Sequence, residues 1–176
     1  MWKYASVTAL VLSVVVLGNA TSPSIGQDPE YITIDGKKNP EKIPVHIAWE
    51  HFFRNVVLVA YPEGAHEADP VKVKALADLN LHVTEDDMRQ ILTIGQRAIA
   101  ESDAMRAPLN DEHEGKRQLD WSLSKRLAQV KASQDVFLRA RSDCADRLSP
   151  SAFQAVSTYV QKHVVPGVSY HHRPNQ

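Results

Sequence analysis

The sequence has one cysteine, few glycines and almost no net charge. Of its 176 residues, 7 are Gly and 1 is Cys, and 20 Lys and Arg stand against 21 Asp and Glu, a formal net charge of -1. A single cysteine excludes an internal disulfide, and so few glycines exclude a collagen-like chain. Because a balanced charge lacks the electrostatic footprint of a nucleic-acid-binding protein, we expect no nucleic-acid partner.

The chain also lacks the short motifs of several enzyme classes. It contains no Gly-rich phosphate loop, no His-Glu-x-x-His zinc motif, no Gly-x-Ser-x-Gly nucleophile elbow and no Cys-x-x-Cys pair. A Ser-His-Asp site assembled from distant residues stays open, because such sites are not visible in a sequence. The absence of these motifs favours a non-enzymatic protein, and no cofactor is predicted.

Long hydrophobic runs are absent except at the N-terminus. Residues 5–18 are nearly all apolar, follow a positive charge at Lys3, and precede small residues at Gly18 and Ala20. This order is typical of a secretory signal peptide cut after Ala20, and the run is shorter than the about 20 residues of a membrane span. We therefore predict an exported protein, periplasmic or secreted, with no stable membrane span after cleavage. The alternative is an uncleaved N-terminal anchor.

The remaining chain divides by composition and periodicity into three regions. Residues 21–43 are expected to form a flexible or extended arm, residues 44–165 a helical bundle domain, and residues 166–176 a polar tail. The segment from Tyr31 to Ile34 alternates like a short strand but has no visible partner. The predicted fold class is all-α: a bundle of about five helices preceded by an extended N-terminal arm.

Helix starts and ends follow from capping residues and prolines. Pro108 is expected to end the third helix, and the fourth is expected to run from about Glu112 to Leu148. Apolar residues at three- and four-residue spacing predict the core face of this fourth helix. They are Leu119, Leu123, Leu127, Val130, Phe137 and Leu148. The helix starts come at Pro44, Asp69-Pro70, Thr84 and Ser149-Pro150.

Two sets of residues in the first helix are candidate site residues. His46 and Glu50 are four apart, share a helix face and supply two ligand types for a metal ion, although no third ligand suggests itself. Structural histidines are the alternative. Trp49, Phe52 and Phe53 form an interaction surface if they line an open groove, and are packing residues if they are sealed in the core.

Cys144 has two interpretations. It stands in a helical stretch with arginines and aspartates on both sides. One interpretation is a small buried apolar residue, and the other is a reactive thiol or an intermolecular disulfide. The first is the more common role of a lone cysteine.

Two short motifs suggest a family. Residues 34–44 (IDGKKNPEKIP), followed by Ala48-Trp49 and residues 52–54, resemble the opening of an uncharacterised family of exported, all-helical bacterial proteins. Residues 148–153 (LSPSAF), with Tyr159-Val160 after them, are similar to the closing helix of that family. The resemblance implies a helical exported protein of bacterial origin and supplies no catalytic residues.

A weaker resemblance is to the periplasmic helical-hairpin chaperones of envelope stress. Residues 148–152 depart from the Leu-Thr-x-x-Gln motif of those proteins because the fifth position is Ala152. The leading hypothesis is an exported binding module of the envelope that contacts another envelope protein or itself. A metal- or small-ligand-binding bundle is the alternative, and an enzyme with a spatially assembled site is a third hypothesis.

Overall fold

A computed structural model describes residues 32–63, 65–113, 115 and 121–172. The predicted signal peptide, the extended arm as far as residue 31 and the last four residues lie outside these ranges. Residues 31–176 group as one compact unit. Its five α-helices are α1 (Val45–Ala60), α2 (Pro70–Ala75), α3 (Glu85–His113), α4 (Leu123–Arg147) and α5 (Pro150–Tyr159).

The all-α class predicted from the sequence is confirmed. Two π-helical turns continue α2 and α5, at Leu76–Leu81 and Val160–Val164. Short 3-10 turns lie at Pro40–Lys42 and Val165–Gly167. None of the helices in the described ranges is long and apolar enough to cross a membrane.

The core surrounds α1, whose apolar residues cover most of its circumference. This helix contacts α3, α4 and the turn at Val160–Val164. Phe52 and Phe53 of α1, Met88 and Ile91 of α3 and Phe137 of α4 are all fully buried. A central helix enclosed on several sides is the expected place for an aromatic-rich sequence, because aromatic side chains bury the largest apolar area.

Side chains at the predicted helix starts cap the helices as expected. Asp69 Oδ1 accepts a hydrogen bond from Val71 N at 2.9 Å, and Thr84 Oγ1 accepts from Asp87 N at 3.0 Å. Ser149 Oγ accepts from Ala152 N at 3.2 Å. Each satisfies a backbone donor that the first helical turn leaves unpaired.

The predicted boundary between the third and fourth helices is wrong. Pro108 does not end α3, which continues through it to His113, and α4 begins at Leu123 rather than near Glu112. Pro108 cannot donate a backbone hydrogen bond, but the side-chain amide of Gln129 on α4 donates to the nearby Met105 carbonyl at 2.9 Å. This hydrogen bond ties α3 to α4 in the stretch that contains Pro108.

The short strand has a partner that its sequence did not reveal. β1 (Ile32–Asp35) pairs antiparallel with β2 (Ser169–His172), so this part of the predicted polar tail is a strand. Gly36 follows β1, and its amide donates to Val168 O at 2.9 Å. A Cβ atom at Gly36 would stand 1.9 Å from Val165 O, so only glycine allows the backbone to come this close to the turn at Val165–Gly167.

Candidate functional site

The aromatic residues predicted as an interaction surface are part of the core instead. Trp49 is 2% exposed, and Phe52 and Phe53 are fully buried. The Trp49 ring lies edge-on to Phe52 at 5.6 Å between centroids and stacks on Phe153 of α5 at 6.1 Å. Arg141 of α4 places its guanidinium over the Phe153 ring. The interaction-surface prediction is therefore wrong for these three residues, because neighbouring elements enclose α1.

Glu50 is occupied by two arginines. Arg106 of α3 donates to both carboxylate oxygens, from Nη1 to Oε1 at 2.6 Å and from Nη2 to Oε2 at 2.9 Å. Arg54 Nε also donates to Oε1 at 3.0 Å. Burial alone would raise the pKa of Glu50, but the hydrogen bonds and charges of Arg106 and then Arg54 outweigh it, so the pKa is lowered. Glu50 is an ionised partner of arginine.

His46 lies one turn before Glu50 and is not bonded to it. Its Nε2 atom is buried and has no hydrogen-bond partner within the described part of the chain. Burial lowers the pKa of His46, and nearby Arg106 acts in the same direction, while Glu50 and Asp135 oppose it. In the ranges that the structure describes, no three His, Cys, Asp or Glu side chains stand close enough to hold a metal ion. The His46–Glu50 pair is better explained as a neutral histidine beside an ion-pair network.

This network joins three helices. Besides Glu50, Arg106 Nε donates to Ser133 Oγ of α4 at 3.1 Å, and Ser133 Oγ donates to Val130 O at 2.7 Å. Arg54 Nη2 donates to Asp103 Oδ1 at 2.5 Å. We call this set the base network; it comprises Glu50, Arg54, Asp103, Arg106 and Ser133. It ties α1 to the point where α3 and α4 leave the bundle.

Beyond the base network, α3 and α4 continue as a two-helix arm. From here on, 'the arm' means residues 103–113 of α3 and 121–132 of α4, and not the N-terminal segment of residues 21–43. No side chain in these ranges is buried, whereas Ser102 and Ser133 at the base are 0% exposed. Eleven helical residues on the α3 side correspond to about 16 Å of helix. The arm therefore extends past the core on two helices alone.

The two helices of the arm are joined mainly by polar contacts. Arg126 of α4 donates from both terminal nitrogens to the Glu112 carboxylate of α3, with Nη2 at 2.7 Å from Oε1. Arg126 Nε also donates to Trp121 O at 3.2 Å. Together with the Gln129–Met105 hydrogen bond, these contacts set the spacing of the helices. Met105 packs against the core at the base of the arm, and the apolar side chains of α4 in the arm are not buried.

One face of α4 in the arm is apolar and exposed. Leu123, Leu127 and Val130 follow at spacings of four and three, so they lie on the same side of the helix. They are 67%, 44% and 40% exposed, and Leu138 continues the line at 41%. We call the three residues within the arm, Leu123, Leu127 and Val130, the arm stripe. The sequence predicted these three as core, and the structure provides no core for them.

The two halves of the arm carry opposite charge. Residues 103–113 contain three acids and one base, a formal charge of -2 with histidine neutral. Residues 121–132 contain three bases and no acid, a formal charge of +3. The surface of the arm is therefore apolar along one line of α4, and its two helices differ in formal charge.

Cys144 is remote from the arm and fully buried. Burial, with a smaller contribution from Asp143, raises the pKa of its thiol to about 12. Because the thiolate is the reactive form, this cysteine is inert in the folded protein. The interpretation as a buried apolar residue is confirmed.

Comparison of the chain with protein-family models, with curated proteins and with solved structures gives no match. The resemblance to a family of exported helical proteins therefore stays a prediction.

Proposed function

We propose that the protein is an exported, non-enzymatic interaction protein whose arm pairs with the arm of a second copy. One observation carries the proposal: the arm stripe has the spacing of a helix core yet is exposed. An apolar face of this kind normally packs against another element, because a two-helix layer cannot bury it alone. A second hairpin supplies the missing layer.

The partner is a second copy because the arm is complementary to itself. Two hairpins related by a two-fold axis form a four-helix arrangement, in which the two arm stripes face each other across the axis and α4 of one copy also lies beside α3 of the other. Arg126 and Glu112 pair within each copy. The charges that meet across the contact are therefore Lys125 and Lys131 of one α4 and Asp111 of the other α3. Another envelope protein is the alternative partner of the arm stripe. It would need a helix with an apolar face and flanking acidic residues to match α4.

The base network supports the same function. A contact surface on two unsupported helices binds weakly if the helices must first be ordered, because ordering costs conformational entropy. Arg106 contacts Glu50 on α1 and Ser133 on α4 at the root of the arm. These contacts thus fix the orientation of the arm relative to α1 before a partner binds.

Disulfide trapping tests the pairing. In the chain from Thr21 onward, which contains the whole compact unit, Val130→Cys places a thiol on the arm stripe, where it faces the stripe of the second copy. We expect mild oxidation to give a covalent dimer. Native Cys144 does not compete because it is fully buried.

Leu58→Cys is the matched control, because Leu58 is 75% exposed on α1 and outside the arm. It should remain monomeric under the same conditions. Equal cross-linking of the two variants would mean random collision, and would contradict pairing through the arm.

Export is the second part of the proposal. Residues 1–20 have the order of a signal peptide, and the motifs at 34–44 and 148–153 resemble exported bacterial proteins. We expect the chain made in a bacterial host to be recovered outside the cytoplasm with Thr21 as its first residue, as read by mass spectrometry. Ala20→Arg removes the small residue before the cut and should leave the precursor unprocessed. A wild-type chain retained in the cytoplasm with its leader would contradict export.

A further inference from the structure

An open cleft lies on the side of the bundle where α5 faces the turn at Leu76–Leu81. Its volume is about 470 Å³, and its walls come from that turn, from His82 and from residues 155–163. Leu81 and Ala155 provide apolar surface. Tyr159 also lines it, and its ring lies edge-on to buried Phe52 at 6.3 Å between centroids. The cleft is thus anchored on the core although it opens to solvent.

Both π-helical turns of the described chain border this cleft. Leu81 ends the first turn, and Lys162 and His163 lie in the second. The π-helix is rare, occurs mostly as single turns, and is frequent at functional sites because it displaces side chains from their regular positions. Two such turns facing one space are a stronger indication than either alone.

The backbone at His82 is also unusual. Its φ is 55°, and it is the one residue other than glycine with a positive φ in the ranges that the structure describes. Few residues other than glycine adopt the left-handed region, although histidine is one of the types enriched there. The conformation ends the first π-helical turn and places His82 at the edge of the cleft.

The chemistry of the cleft is cationic and hydroxylic. Lys162 supplies a positive charge, the two imidazoles of His82 and His163 supply ring N–H donors, and Thr158 and Tyr159 supply hydroxyl groups. The His163 ring lies 5.0 Å from the Tyr159 ring at 33°. No carboxylate is among the described lining residues. Asp78, nearby in the chain, is engaged by Lys74 at 3.0 Å.

We infer that this cleft binds a small organic anion, with a carboxylate or phosphate group held near Lys162 and a flat apolar body against Tyr159 and Leu81. These donors line the same open space as the Tyr159 ring and the Leu81 side chain, so one ligand can meet a charged group and an apolar surface together. A bare inorganic anion would use the donors but not these surfaces. The inference is independent of the arm, which is built from α3 and α4.

Titration of the chain from Thr21 onward, followed by amide NMR spectra at constant ionic strength, tests the inference. The probes are benzoate, phenyl phosphate and inorganic phosphate. We expect saturable chemical-shift changes in the amide signals of residues 81–83 and 155–163 with at least one of the two organic probes. Comparison of benzoate with phenyl phosphate distinguishes a carboxylate site from a phosphate site. Inorganic phosphate should bind more weakly. If inorganic phosphate bound as tightly as phenyl phosphate, Tyr159 and Leu81 would contribute nothing to binding, which would overturn the inference of an organic ligand.

Lys162→Met should raise the dissociation constant about tenfold, as expected for one charge-assisted hydrogen bond. Lys42→Met is the matched control, because Lys42 is an exposed lysine that is not among the lining residues, and this variant should bind as the unmodified chain does. Absence of saturation with both organic anions, or an unchanged affinity in Lys162→Met, would overturn the inference.

Discussion

Glu50→Gln is expected to lower the free energy of unfolding by about 3 kcal/mol, the low end of the cost of breaking a buried ion pair. The substitution keeps the size of the side chain but removes its charge. Arg106 then has no charged partner at Glu50 while its own side chain is only 30% exposed. The measurement is urea unfolding at pH 7, followed by circular dichroism.

Glu101→Gln is the control for this substitution. It removes the pair between Glu101 and Arg139, whose side chains are 41% and 57% exposed. An exposed pair contributes about 0.5 kcal/mol or less, because water screens it and both side chains lose freedom. If Glu50→Gln cost no more than Glu101→Gln, the base network would not be the anchor of the arm.

The stabilisation from Glu50 also has a defined pH dependence. The folded-state pKa of Glu50 lies below its ordinary value of 4.5, so its contribution is fully present above that value. It is lost as the pH falls through the lowered pKa. The unmodified chain should therefore lose more stability than Glu50→Gln between about pH 5 and about pH 2, so the two curves converge.

Leu127→Asp is expected to raise the dissociation constant of the paired arms at least about 30-fold, the cost of removing a central contact residue. Leu127 is the middle residue of the exposed stripe in the arm, and pairing would bury the new carboxylate in an apolar contact. The measurement is sedimentation equilibrium. Because Leu127 is 44% exposed in the single chain, its stability should change by only about 0.5 kcal/mol.

Leu58→Asp makes the same chemical change elsewhere. Leu58 is 75% exposed on α1, and its replacement should leave the pairing unchanged. Equal weakening by both variants would show an effect of added negative charge rather than of the arm. No weakening by Leu127→Asp would place the contact surface outside the arm stripe.

The helices and most of their caps could be predicted because these signals are local. Asp69, Thr84 and Ser149 each cap a helix with a side chain that bonds two or three residues ahead. The pairing of β1 with β2 joins residues near opposite ends of the chain, and no local pattern encodes it. The continuation of α3 through Pro108 likewise runs against the local proline signal, and Gln129 of another helix bonds Met105 in that stretch.

The candidate site was harder to predict because apolar spacing does not say which faces are covered. Trp49, Phe52 and Phe53 have the same periodic pattern as Leu123, Leu127 and Val130, yet the first three are enclosed and the others exposed. Glu50 looked like a metal ligand because its arginine partner is 56 positions away in the chain. The cleft beside α5 arises from two π-helical turns, and these have no recognisable sequence signal.

The mass of the unmodified chain as a function of dilution tests the central claim most directly. The chain from Thr21 onward would be measured by sedimentation equilibrium from about 1 mM to about 1 µM, the range in which weak protein contacts dissociate. Pairing of the arms predicts the mass of two chains at the upper end and a fall toward one chain on dilution, with Leu127→Asp near one chain throughout. The mass of one chain at every concentration would contradict it.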